Sequence, residues 1–353
     1  MQSINWSCCP RVAQHPIARA FIEQLARERR APSTVENYGR DLDDFLAAFA
    51  DIPFADLIEA DEAQLTHYVD WLHERPARRG LARLAAIDGR SRLAPATIRR
   101  RVCTVRVFYA WCIRLRHRRD PLNPVRAGVR GREHGIVPRP MAVPWIPDER
   151  EWVAILRYVL TELSTRDQAL VLVAHDGALR RDEIVHLRVD DIDRRTHTIA
   201  IRAAITKNYV PGTVVLSNLA FAKLTAYLAG ERAALVRCYG ADWEGPIFLS
   251  DSRRNPGRPI TKWTVNDIFD RIRDALGLPH LTPHTMRHLM LTELKRGGMD
   301  LLDVSRYGRH RSLASTEIYL HTDLSDLGRD VSRAHQRIAA RARRLEGGLD
   351  DRT

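Results

Sequence analysis

The chain has 353 residues, 44% apolar and 28% charged, which is about two domains' worth of ordinary globular protein and excludes a disordered chain or a small disulfide scaffold. Lys and Arg number 56 against 44 Asp and Glu, a net charge of +12 that favours a nucleic-acid partner without proving one. No apolar run reaches the roughly 18 residues of a membrane span, and Met1–Pro10 lacks the pattern of a secretory signal, so a cytoplasmic protein is expected.

The five cysteines, Cys8, Cys9, Cys103, Cys112 and Cys238, are odd in number and irregular in spacing. They suggest neither a disulfide framework nor a zinc site. Cys103 and Cys112 fall in an apolar helical pattern and are expected in a core.

The first third of the chain is helical by periodicity. A helix is expected near Ile17 to Arg29. The next opens at Ser33-Thr34-Val35-Glu36, which has the form of a capping box, and carries Val35, Tyr38, Leu42, Phe45, Leu46 and Phe49 on one face. A third covers Glu62 to His73. The fourth follows Pro95, with Ile98, Val102, Val105, Tyr109 and Cys112 as its apolar stripe. Its other side carries Arg99, Arg100, Arg101 and Arg106; of these, Arg99, Arg100 and Arg106 are candidate DNA contacts. Arg75 to Arg92, rich in Arg and Gly, is expected to be a loop.

Prolines at 121, 124, 138, 140, 144 and 147 then exclude regular helix. This basic stretch has two readings, a solvated linker or one lying along a phosphate backbone. The expected division is an N-terminal helical domain over 1–135, a linker over 136–147, a second domain over 148–325 and a tail over 326–353.

In the second domain, helices are expected over Asp148 to Leu163, Arg166 to Ala174 and Arg180 to Leu187. Ile199, Ile201, Ala203 and Ile205 alternate as a half-buried strand, and Thr213 to Leu216 is its hairpin partner after Pro211-Gly212. Lys207 stands where that strand gives way to the turn. A short strand is possible at Ile247 to Leu249; the rest looks helical.

The densest chemistry lies late. After Thr282-Pro283, residues His284, Arg287 and His288 sit at i, i+3 and i+4, on one helix face, with Met286, Leu289 and Met290 turned inward. A helix N-terminus with added His and Arg suits a phosphate. A metal pair at His284 and His288, or a merely solvated polar face, are the competing readings; no third metal ligand is evident. Downstream come Gly308-Arg309-His310 and, nine residues after His310, Tyr319. Upstream, Arg180 and Glu183 are three residues apart.

Taken in order, the Arg-x-x-Glu helix, hairpin Lys, His-x-x-Arg helix and a His nine residues before a Tyr make the chain resemble the tyrosine recombinase (phage integrase) family across roughly residues 148 to 325. The resemblance implies a mainly α fold with a small antiparallel sheet. It pairs an N-terminal four-helix SAM-like core-binding domain with an α/β catalytic domain, the two clamping duplex DNA. It assigns Arg180 and Arg287 as the active-site arginines, His284 and His310 as the active-site histidines, Lys207 as the hairpin lysine and Tyr319 as the nucleophile. Glu183 and His288 match supporting positions. Where the family commonly reads Leu-Gly-His, this chain has Arg309 before His310.

The expected reaction is site-specific cutting and rejoining of double-stranded DNA through a 3′-phosphotyrosine, with no cofactor, metal or ATP. The expected assembly is a homotetramer on two DNA sites, monomeric or dimeric when free and nucleoid-associated, with an accessory directionality factor as a further partner. The basic tail after Asp326 suits docking on a neighbouring protomer, or is simply a solvated helix. Two rivals remain, a type IB topoisomerase and a DNA-binding relative without turnover.

Overall fold

A computed structural model of the chain describes residues 4–28, 30–75, 93–126, 145–206 and 209–310. The chain divides into two compact units, Met1–Met141 and Ala142–Thr353.

In the first unit, helices α1 (Pro10–Gln14), α2 (Pro16–Arg27), α3 (Pro32–Ala48), α4 (Phe54–Ile58), α5 (Glu62–Glu74) and α6 (Pro95–Arg114) surround one aromatic core. Four of them begin with proline at the first helical position, where the missing N–H costs nothing. Phe45 meets Tyr68 edge-on at 5.0 Å, and Phe21 meets Phe108 at 5.4 Å. The Tyr109 hydroxyl donates to the Leu57 carbonyl at 2.6 Å, so a buried polar group is satisfied. Asp41 of α3, 2% exposed, accepts from Thr104 at 3.0 Å and from Arg100, which ties α3 to α6.

Two expectations fail here. Ser33 caps nothing: Ala31 is the cap and Pro32 the first helical residue, so Ser33 already lies inside the first turn. Cys112 is buried, but Cys103 is exposed, because it follows Val102 by one residue and so points about 100° away from the stripe. The one-turn helices α1 and α4 carry too little periodicity to be read from sequence.

The second unit is built around α8 (Thr165–Asp176), buried from Arg166 to Asp176. Such a helix, enclosed on all sides, is a core element. Around it lie α7 (Glu149–Glu162), opened by an Asp148–Glu151 capping box, and the short α9 (Arg181–Val185). A three-stranded antiparallel sheet follows, with β1 (Ile192–Asp193), β2 (Thr198–Ile201) and β3 (Gly212–Val215) in that order. Its register pairs Ile199 with Val214 and Ile201 with Gly212. Then come α10 (Asn218–Tyr227), a π turn (Leu228–Arg232), α11 (Ala233–Tyr239), α12 (Lys262–Leu276), α13 (Pro283–Arg296) and α14 (Leu301–Tyr307).

The expected strand through Ile205 stops at Ile201, and Ala203–Ile205 form a 3-10 turn. The partner β3 begins at Gly212, and Pro211 before it has no N–H with which to extend the ladder. Ile247 to Leu249 form no strand. They are buried, with the Ile247 N–H on the Leu187 carbonyl at 2.9 Å and Leu249 in one isolated bridge to Pro259. The helix expected from Arg180 to Leu187 is shorter, with Arg180 in extended backbone as its cap. The mainly helical fold with a small antiparallel sheet is as expected. The loop at Arg75 to Arg92 (beyond Arg75), residues 136–144 of the expected linker, and the tail from 326 lie outside the described residues.

Candidate active site

Helix α13 is opened by reciprocal bonds between Thr282 and Thr285: the Thr285 N–H donates to Thr282 Oγ1 at 3.2 Å, and the Thr282 N–H to Thr285 Oγ1 at 3.1 Å. Pro283 occupies the first helical position. Met286 (0% exposed) and Leu289 (2%) pack into the core, which commits the opposite face to His284, Arg287 and His288. The rings of His284 and His288 meet edge-on at 4.3 Å. Among the described residues no group of three side chains is arranged to hold a metal.

Arg287 lies almost wholly buried and spans two turns of chain. Its Nη1 donates to the Ala178 carbonyl at 2.6 Å, and its Nη2 donates to the Gly308 carbonyl. Arg180 is held by the same two turns. Its N–H donates to Glu183 Oε2 at 2.9 Å, its Nη1 to Glu183 Oε1 at 2.8 Å and its Nη2 to the Arg309 carbonyl at 3.2 Å. The Arg180 side chain keeps 21% exposure, so one guanidinium faces solvent while the other stays beneath the surface. Ala178 and Arg309 both adopt positive φ, +44° and +52°, which folds the two turns tightly enough for their carbonyls to meet these side chains.

His310 joins the same group. A methyl group on Gly308 would lie 3.2 Å from Arg287 Nη2 and 3.2 Å from His310 Nε2, which places these two side chains beside one glycine. Burial, followed by the charges of Arg287, Arg180 and Arg309 and then by His284, pushes the His310 pKa down to about 4. His288 is pushed down to about 3, chiefly by burial. His284 moves down as well, by desolvation and then by Arg287 and Arg180. Near pH 7 His288 and His310 are therefore neutral imidazoles beside two permanent cations, able to donate a hydrogen bond without adding charge.

Glu183, 0% exposed, is the anion among them. Burial pushes its carboxyl up, but the guanidinium of Arg309 and the N–H of Arg180 outweigh it, and the net shift is downward. Sequence reasoning missed Arg309 as a contributor. The only signal was an arginine where the resembling family has glycine.

Among the other expected site residues, Lys207 and Tyr319 lie outside the described residues. Lys262, at the start of α12, pairs with Asp182 at 2.5 Å. Tyr307 is the tyrosine near this site among the described residues; its hydroxyl donates to the Asp176 carbonyl at 2.6 Å, and burial first raises its pKa to about 12. It is a structural tie. In the other unit, Arg100 and Arg106 are exposed on α6, Arg100 being paired with Asp41, and Arg99 is half-buried.

This geometry, with arginine and histidine side chains from several elements gathered around one pair of turns, fits a site for an anion. The profile of the phage integrase family matches residues 148–325. The chain belongs to the phage integrase family. The profile of the phage integrase N-terminal SAM-like domain matches residues 18–115 of this tyrosine recombinase. The tyrosine recombinase XerC of Pseudomonas aeruginosa is 28% identical over 341 residues, covering 94% of this chain and 98% of the relative. That of Oceanobacillus iheyensis is 28% identical over 325 residues, covering 90% and 95%. Among solved structures, the Tn1549 transposon integrase in complex with a circular intermediate DNA superposes with a TM-score of 0.65 at 14% identity, covering 90% of this chain and 99% of that one. The XerH site-specific recombinase bound to palindromic difH substrate gives 0.64 at 17%, covering 93% and 87%. At these identities the structures share the fold with this recombinase. No helix among its described residues is long and apolar enough to cross a membrane.

Proposed function

We propose that this tyrosine recombinase cuts and rejoins double-stranded DNA at a specific site through a covalent 3′-phosphotyrosine on Tyr319. The observation that carries the reading is the meeting of Arg180, His284, Arg287 and His310, drawn from three separate segments, around one set of turns. Two arginines hold the non-bridging oxygens of the scissile phosphate and offset the charge that builds on them in the five-coordinate transition state. His284 and His310 add neutral donors. The phenolic oxygen of Tyr319 bonds to phosphorus while the bond from phosphorus to the 5′ oxygen breaks. Lys207 gives the leaving oxygen its proton, and the phenol gives its own to solvent water. Rejoining reverses these steps: the 5′-hydroxyl attacks the phosphotyrosine ester. The ester conserves the bond energy, so ATP is not required, and the two arginines supply the charge a metal would.

In this reading residues 1–135 bind DNA, 136–147 link, 148–325 catalyse and the segment from 326 joins protomers into a tetramer on two duplexes. The enzyme acts in the cytoplasm, on the nucleoid. The test is a nicked suicide duplex drawn from repeats flanking the coding region. The wild-type chain is expected to form a covalent protein–DNA adduct; Tyr319→Phe is expected to bind the duplex equally and form none. An adduct with Tyr319→Phe, or none with the wild type on any flanking repeat, rejects the reading.

A further inference from the structure

Arg309 is fully buried, charged, and in left-handed backbone with φ +52°. Each of these is unfavourable for an arginine. Its two terminal nitrogens are correspondingly well supplied with partners, while the buried Nε has none among the described residues. Nη1 donates to the Tyr307 carbonyl at 2.8 Å. Nη2 faces the carbonyls of Gly177 at 3.2 Å and Ala178 at 3.0 Å, and Glu183 Oε2 at 2.8 Å. The aliphatic stem rests on Gly212 at the start of β3, where a Cβ would lie 3.1 Å from Arg309 Cγ and 3.2 Å from Cδ.

These contacts close a ring. The guanidinium of Arg309 holds Glu183, Glu183 holds both the N–H and the guanidinium of Arg180, and Arg180 returns to the carbonyl of Arg309. The charge count matters as much as the geometry. Glu183 alone would neutralise Arg180; with Arg309 on the same carboxylate, the trio keeps one net positive charge. The next residue along the chain is His310, and the left-handed turn at Arg309 sets its direction.

We propose that Arg309 is a positioning residue for strand cleavage: through Glu183 it fixes Arg180 and preserves its cationic character, and through its backbone it aims His310. It touches no reacting atom. The inference rests on the reading that Arg180 and His310 act on the scissile phosphate.

The test is the single-turnover rate of adduct formation on the suicide duplex, at saturating enzyme, beside the Kd for the same duplex. Arg309→Met removes the charge and is expected to slow cleavage about 100-fold, the scale at which small misplacements act, with the Kd changed less than about threefold. Arg309→Lys keeps the charge and is expected to recover part of that loss. Glu183→Gln is expected to slow cleavage, and combining it with Arg309→Lys should cost less than the product of the two single effects, as for residues sharing one network. If Arg309→Met fails to fold, the Arg309→Lys and Glu183→Gln pair decides. Wild-type rates in the Arg309 variants, or effects of Arg309→Lys and Glu183→Gln that simply multiply, overturn the proposal. A wild-type chain that forms no adduct instead overturns the proposed function beneath it.

Discussion

Gly308 provides Arg287 with both an acceptor and space. Arg287 Nη2 donates to the Gly308 carbonyl, and a methyl group on the glycine would stand 3.2 Å from that same nitrogen. The glycine's φ of −72° is open to any residue, so its absent side chain is a matter of room rather than backbone freedom. Gly308→Ala should therefore leave the fold intact, with stability within about 1 kcal/mol of wild type. Cleavage should fall by about tenfold or more, because Arg287 and His310 must both give way. Adduct rates beside a melting curve check this; an unchanged rate would show that the site tolerates the shift.

The lowered histidines give stability a pH dependence. In the unfolded chain His288 and His310 take up protons near pH 6.5. In the folded chain they do so only at about 3 and about 4. Between these limits the unfolded state holds more protons, so stability falls as pH drops from about 6.5 toward 4. After discounting for partial exposure, His310 accounts for on the order of 1–2 kcal/mol of that loss. Denaturant titrations at pH 7, 6, 5 and 4.5 should show the decline. His310→Gln should flatten it, and an equal slope in that variant would contradict the assignment.

The arginines of α6 should differ in their contribution to DNA binding. Arg106 is exposed, whereas the Arg100 guanidinium already pairs with Asp41. If α6 faces the phosphate backbone, Arg106→Ala should reduce the slope of log K against log salt by about 1. Arg100→Ala should change it by clearly less, because Asp41 has already offset that charge. Binding isotherms at three or more salt concentrations separate the two; equal slopes in both variants and the wild type would remove α6 from the interface.

Much of this recombinase was legible in its sequence because the signals were local. Three-residue and four-residue steps put Val35, Leu42 and Phe45 into one core and put His284, Arg287 and His288 on one face, since the pitch of a helix is the same in every protein. The failures at Ser33, Cys103 and Ile205 are local too, and each was settled by a neighbour: a proline at the first helical position, one residue's rotation, and a partner strand whose ladder reaches no further than the Ile201–Gly212 pair.

What the sequence determined by itself was the order of elements and the residue types available for chemistry. What only the tertiary structure decided was their pairing. Arg309 and Glu183 are 126 positions apart, and Arg287 and Ala178 are 109 apart; no periodicity reaches that far. An arginine next to a glycine reads as a surface residue until the fold encloses it. Once enclosed, the high cost of burying an unpaired charge requires a carboxylate and carbonyls around it, and only the folded chain brings them there.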